Sequence, residues 1–265
     1  MTRCLLLASL TAAALGAPAP ASAAVPDEPV IREIDIRPAA PVVGPSDSVR
    51  LVIDVVAKGV RGRQGVVVEV EPGPPPGPLL EDRRPPAEEE EEDWSGPGPA
   101  PFGEPDEIWT SEPKWGRAEP GGWETWRFLP DKRLNRFYPA GTWTVAVTAR
   151  GAGGAEVTEY AAFELKRETR LTSVRAGHHG GGLRLSGRLK RLDPRGLAAF
   201  TPFGGQRVAI QWRRDPSAEW ETVTGTTTDS GGRFSRTVGG RPGEWRAYFP
   251  GTRKYAADAA RPRAS

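Results

Sequence analysis

Two histidines, one cysteine and 34 carboxylates bound what this 265-residue chain can do by side-chain chemistry. His178 and His179 are adjacent and run into Gly180-Gly181-Gly182. A nucleophile–base pair needs an imidazole held rigidly by a third group. A glycine hairpin loop is a poor holder. The same pair lacks further ligands at zinc spacing. Neither Gly180-Gly181-Gly182 nor Gly231-Gly232 has the lysine spacing or the following helix of a phosphate loop. We therefore assign no catalytic residue, no cofactor and no metal ligand, and read the chain as a non-enzyme. Paired carboxylates that converge only in three dimensions stay open, since 34 acidic residues allow many pairs.

Binding chemistry has better candidates. Glu88-Glu89-Glu90-Glu91-Glu92-Asp93 concentrates charge that attracts cations. An unbroken run of glutamates lacks the alternating ligands and turn glycine of a defined calcium loop, so it reads as a solvated acidic stretch with diffuse attraction. Nine tryptophans are many for this length. Trp143, Trp212, Trp220 and Trp245 sit in strand patterns and read as core. Trp94, Trp109, Trp115, Trp123 and Trp126 lie in or beside an irregular segment. They are the candidate ligand-contact aromatics, able to stack on sugar rings or on a partner protein, or to fold back over a sheet.

Export is the clearest expectation. Arg3 precedes an apolar run, Leu5 to Leu15, of signal-peptide length and too short to span a bilayer. Ala21-Ser22-Ala23 supplies small residues for cleavage after position 23. Cys4 lies inside this leader, too early for a lipidated residue after the apolar run, and no later apolar segment reaches spanning length. The remaining chain has no cysteine and must hold its cores without disulfides. We expect a protein secreted from the cell or associated with its wall, with no transmembrane segment.

The formal charge of +2 hides an asymmetry. Residues 24–166 carry 16 basic and 26 acidic side chains, a net of −10, whereas 167–265 carry 19 and 8, a net of +11. Opposite halves attract within a chain or head to tail between chains. A basic half can also meet anionic polymers outside the cell, although arginines alternating with core residues are what any solvated sheet face looks like. Arginine outnumbers lysine 30 to 6, which reads as coding bias rather than as a site.

These residues must be positioned by strands. Ile34 and Ile36 alternate with Asp35 and Arg37, and Val49, Leu51, Ile53 and Val55 share a face. Val66–Val70, Trp123–Leu129, Thr142–Arg150 and Glu156–Leu165 follow. Between them, Pro72 to about Glu107 is Pro- and Gly-rich with 11 acidic and 2 basic residues. We expect a disordered or loosely held insertion there. Further strands are expected at Thr169–Val174, Leu183–Lys190, Arg207–Arg213, Trp220–Thr227, Arg233–Val238 and Glu244–Phe249, with a seventh near Tyr255–Ala259. Seven short strands in under 100 residues read as a sandwich. The expectation is an all-β protein with a signal peptide at 1–23. Two tandem immunoglobulin-like β-sandwich domains follow, at 24–166, with the acidic insertion at about 72–107, and at 167–265.

The chain resembles a family of secreted actinobacterial proteins with two Ig-like domains, mostly uncharacterised and often labelled calcium-binding or lipoproteins. The residues that carry this are Pro41-Val42-Val43-Gly44 and Ala140-Gly141-Thr142-Trp143 in the first half. In the second they are Gly187-Arg188-Leu189, Gly204-Gly205-Gln206-Arg207-Val208, Gln211-Trp212-Arg213 and Gly243-Glu244-Trp245-Arg246 running to Gly251. They are turn glycines and core tryptophans, so the resemblance implies a fold and a compartment. The function expected is a non-catalytic binding or interaction protein, its partner an extracellular protein or a cell-wall polymer. A structural spacer at the envelope, or weak calcium or cell-wall glycan binding, is the alternative.

Overall fold

The structure, a computed structural model, describes residues 28–62, 64–81 and 122–263. The leader, residues 82–107 of the acidic segment, and Trp94, Trp109 and Trp115 lie outside the described residues. Every element of any length is a strand, and no described helix is long and apolar enough to cross a membrane.

In the first half, β1 (Val30–Arg37), β3 (Val52–Lys58) and β5 (Trp123–Phe128) form one antiparallel sheet. Against it stand β2 (Val42–Val43), β7 (Glu156–Arg167), β6 (Gly141–Arg150) and β4 (Val66–Pro72), in that order. The alternation read from the sequence decides which faces meet. Ile31, Ile34, Ile53, Val55, Trp126 and Phe128 from one sheet and Trp143, Val145, Val147, Phe163 and Leu165 from the other form a single buried cluster. Burying a side chain of this size stabilises by roughly 1.5–3 kcal/mol relative to exposure.

The start of the insertion differs from the expectation of a loose loop. Gly73 N donates to Thr142 O at 2.9 Å, Leu80 N donates to Tyr160 O at 2.9 Å, and Leu79 bridges Tyr160 in a parallel sense. Leu80 also packs on the first core. The reason is an open edge: β2 pairs with β7 only at Lys166 and Arg167, so Tyr160 offers backbone groups to a passing segment.

Only Glu168 separates β7 from β8 (Thr169–His179). In the second half β8 pairs with β9 (Gly182–Leu192), which also pairs with β13 (Arg233–Gly239) and with β10 (Phe200–Pro202). The facing sheet is β12 (Glu221–Thr227), β11 (Arg207–Arg213), β14 (Glu244–Phe249) and β15 (Asp258–Ala260). Leu171, Val174, Leu185, Leu189, Val208, Ile210, Phe234, Trp245 and Phe249 fill a second core between them.

The cores do not divide at one chain position. Leu192, fully buried, belongs to the first core, and Phe200 packs against it. Arg136, from the segment before β6, reaches the same place. Its Nε donates to Asp193 O at 3.0 Å, and its guanidinium also donates to the carbonyls of Ala198 and Pro45.

Candidate functional site

The histidine pair is the simplest case. β8 runs on to His179, and Gly180-Gly181 alone makes the turn, with φ of +55° and +76°. Two consecutive positive φ values suit a tight two-residue hairpin turn and favour glycine. His178 and His179 therefore lie in the ladder, opposite Leu183 and Gly182, rather than in a loop, and both are exposed. Among the described residues, no three His, Cys, Asp or Glu side chains converge as metal ligands.

Trp123 and Trp126 are placed on opposite faces of β5. Trp126 points into the first core and is 9% exposed, its indole N–H without a hydrogen-bond partner among the described residues. Trp123 lies on the outer face with Arg32 and Lys58 over its ring, at 4.7 and 5.1 Å from the centroid. The outer-face charges beside it are paired. Asp54 accepts from Arg37 and, at 2.8 Å, from Arg127 Nε. The bond to Asp54 and its charge raise the Arg127 pKa above the ordinary guanidinium value.

Trp220, read from its pattern as core, is half-buried on the outer face beside β11 and β14. Arg246 stacks on it at 4.2 Å, Arg213 at 4.6 Å and Arg261 at 5.8 Å. Burial pushes the Arg246 pKa below its ordinary value, and the like charges of Arg213 and Arg261 add to this. Glu244 answers two of them, meeting Arg213 at 2.6 Å and Arg261 at 3.6 Å. Trp212 is likewise half-buried: Arg241 lies 3.7 Å over its ring, and its Nε1 donates to Pro242 O at 3.0 Å. Gly243 makes this possible. At φ +131°, a Cβ there would meet Trp212 Nε1 at 2.5 Å. Trp143 and Trp245 are core, as their patterns suggest. This cationic–aromatic patch is thus largely satisfied from within.

The outer face of the β8–β9–β13 sheet is not. Arg184, Ser186 and Arg188 alternate along β9 with inward Leu185 and Leu189. Arg233 stands directly opposite Arg188, and Ser235 and Arg175 stand opposite Ser186. Together with Thr226 they line an open groove of about 770 Å³ beside the turn between β12 and β13. Arg184 Nε donates to Ser235 Oγ at 2.7 Å, yet no carboxylate among the described residues pairs with any of the four guanidiniums. Among the described residues, the one acid lining the groove, Asp229, accepts from the Arg233 backbone N–H at 2.8 Å. Like charges directly opposite on a sheet destabilise it, so the Arg188–Arg233 pair opposes folding where it stands.

Two local features aim this face. A bulge between Thr172 and Arg175 places Ser173 at φ +52°, the only described non-glycine residue with a positive φ. Bulges re-aim side chains and recur beside sites. Opposite, Gly187 leaves room for Phe234, since a Cβ there would come within 2.7 Å of its ring. That ring therefore packs inward and is 4% exposed. None of these arginines is distinguishable in the sequence from the other 26; the pairing of strands separates them.

No protein-family model matches the chain, and no curated protein matches it. Among solved structures, the chain is similar to a tetra-tandem repeat in the extending region of a large adhesion protein. The identity is 14% and the TM-score 0.27, over 80% of this chain and 44% of that one. It is also similar to dimeric latent PorU from Porphyromonas gingivalis, with 12% identity and a TM-score of 0.29, over 89% of this chain and 20% of that one. The chain spans less than half the length of either.

Proposed function

We propose that this is an exported, non-catalytic binding protein of two immunoglobulin-like domains, 24–166 and 167–265, acting outside the cell or at its wall. The leader ending at Ala21-Ser22-Ala23 supports export. Two separate cores, each between two facing sheets, support the two-domain reading. The observation that carries the binding function is the open groove on β8, β9 and β13. It offers four guanidiniums and a row of Ser and Thr hydroxyls, with one carboxylate among the described lining residues, Asp229, already accepting from the Arg233 backbone N–H. Such a surface suits holding an anionic ligand.

The spacer reading draws on a different feature. A single residue joins β7 to β8, and Arg136 ties carbonyls of both halves, an arrangement that suits holding two modules at a set separation.

Equilibrium binding of residues 24–265 to purified cell-envelope polymers, neutral glycans and anionic polymers separately, tests the proposal. Saturable binding without chemical change of the polymer is the expected result. Turnover of a polymer sinks the non-catalytic reading, and no binding to any of them leaves the spacer reading in its place.

A further inference from the structure

We infer that the β8–β9–β13 groove binds a linear polymer that carries phosphate groups on a polyol or sugar backbone. This rests on the binding reading above and names the ligand class of that same site.

Charge is the first argument. Arg175, Arg184, Arg188 and Arg233 share one face, and no described carboxylate neutralises them. The outer face of β1, β3 and β5 gives a contrast: Arg37 and Arg127 both close on Asp54. Arg213 and Arg261 likewise close on Glu244. In the groove, Arg188 and Arg233 are instead placed directly opposite each other against the electrostatics of the sheet. An anionic ligand removes the repulsion. The planar guanidinium fork matches the oxygens of phosphate, and Ser173, Ser186, Ser235 and Thr226 add hydroxyl donors along the same wall.

Length is the second argument. Arg184 and Arg188 lie four residues apart on one strand, about 13 Å at the usual rise. Arg188 and Arg233 lie roughly 5 Å apart across the ladder. One phosphate cannot bridge the first spacing, whereas successive phosphates on a chain meet both. The groove is open to solvent and can let such a chain pass through.

The third argument separates polymer types. Single-stranded nucleic acid is held by aromatic platforms as well as by charge. Among the described residues, the only aromatic side chain lining this groove is Phe234, which is turned into the core with its ring in the space left by Gly187. A backbone without bases loses nothing by that.

The test uses residues 24–265 with poly(glycerol phosphate), a neutral glycan and single-stranded DNA of equal charge as probes. The variants are Arg188→Ser/Arg233→Ser, Arg233→Glu, and Arg253→Ser as a control. Arg253 lies elsewhere, is 77% exposed and meets Glu164 only at 3.8 Å. Poly(glycerol phosphate) should bind at least tenfold more tightly than the DNA. Its affinity should fall with salt at a log–log slope near −3, about 0.7 per phosphate contact. The double variant should lose at least tenfold in affinity and about 1.4 of that slope, and Arg233→Glu should lose at least as much while unfolding no earlier than the parent. Arg253→Ser should bind as the parent does. Unchanged affinity in the double variant, or DNA binding as tight as the phosphate polymer, overturns the assignment and leaves the binding reading standing. Binding of the neutral glycan alone does the same. Failure to bind every probe removes both.

Discussion

Single residues show how one amino-acid type takes opposite roles according to the face of a strand. Trp123 and Trp126 are three positions apart, and therefore on opposite faces of β5. Trp126 fills the first core, so Trp126→Ala should open a cavity and lower stability by about 3–5 kcal/mol. Trp123 rests under Arg32 and Lys58 at the surface, and each such contact contributes about 0.5–1 kcal/mol. Trp123→Ala should therefore lower stability by no more than about 2 kcal/mol. Denaturant unfolding of the two variants checks this, and equal losses would contradict the placement. Trp126 was misread in the sequence as a candidate ligand-contact aromatic, because it lies beside the irregular segment; β5 turns it into the first core instead. Trp220 was not legible, because it immediately precedes β12, where period-two alternation no longer fixes a face. What holds it is a set of arginines from β11, β14 and the segment after β15, brought together only by the fold.

At the scale of elements, long strands with strict alternation were readable to within a residue or two: β6, β11 and β14 follow directly from their apolar spacing. Only the last four residues of β1 were read, its alternation being broken by a register shift between Ile31 and Glu33. β2 and β10, two and three residues long, carry no period to read. The held segment 73–81 was hidden by its prolines, which remove donors but leave carbonyls and the Leu79-Leu80 pair free to dock on an edge. The join between the halves was hidden too. Its centre is Arg136, 9% exposed, whose donors meet carbonyls of Asp193, Ala198 and Pro45. The β9–β10 loop that supplies two of these is itself tied, since the Asp193 carboxylate accepts the N–H groups of Arg195 and Ala198 at 3.1 Å. Those bonds hold the Asp193 pKa below the usual carboxylate range. Hydrogen bonds to a charged group contribute about 1.5–3 kcal/mol in net terms. For a chain of this size that corresponds to roughly 3–10 °C in the thermal midpoint. Arg136→Ala should lower the midpoint by that amount in scanning calorimetry. An unchanged midpoint would mean that these carbonyls find other partners.

Across the whole molecule, charge is organised at two levels, and only one of them was visible in the sequence. The excess of −10 over residues 24–166 and +11 over 167–265 can be counted directly. Which of 30 arginines are spare cannot be counted, because each pairing depends on strand register. Register answers several of them from within: Arg37 and Arg127 by Asp54, Arg150 by Glu156, Arg170 by Glu168, Arg213 by Glu244. Arg175, Arg184, Arg188 and Arg233 are left facing one groove without a carboxylate among the described residues. An arginine-rich composition that reads as background therefore contains a localised surface.

The most direct test is to locate bound polymer on the protein. Backbone amide resonances of residues 24–265 would be followed during titration with poly(glycerol phosphate) at low salt. The expected shifts concentrate on Ser173–Arg175, Arg184–Arg188, Thr226–Asp229 and Arg233–Ser235, and reverse on adding salt. Shifts concentrated instead around Trp220 and Arg246, or on the outer face of β1, β3 and β5, would contradict the assignment of the groove as the binding surface.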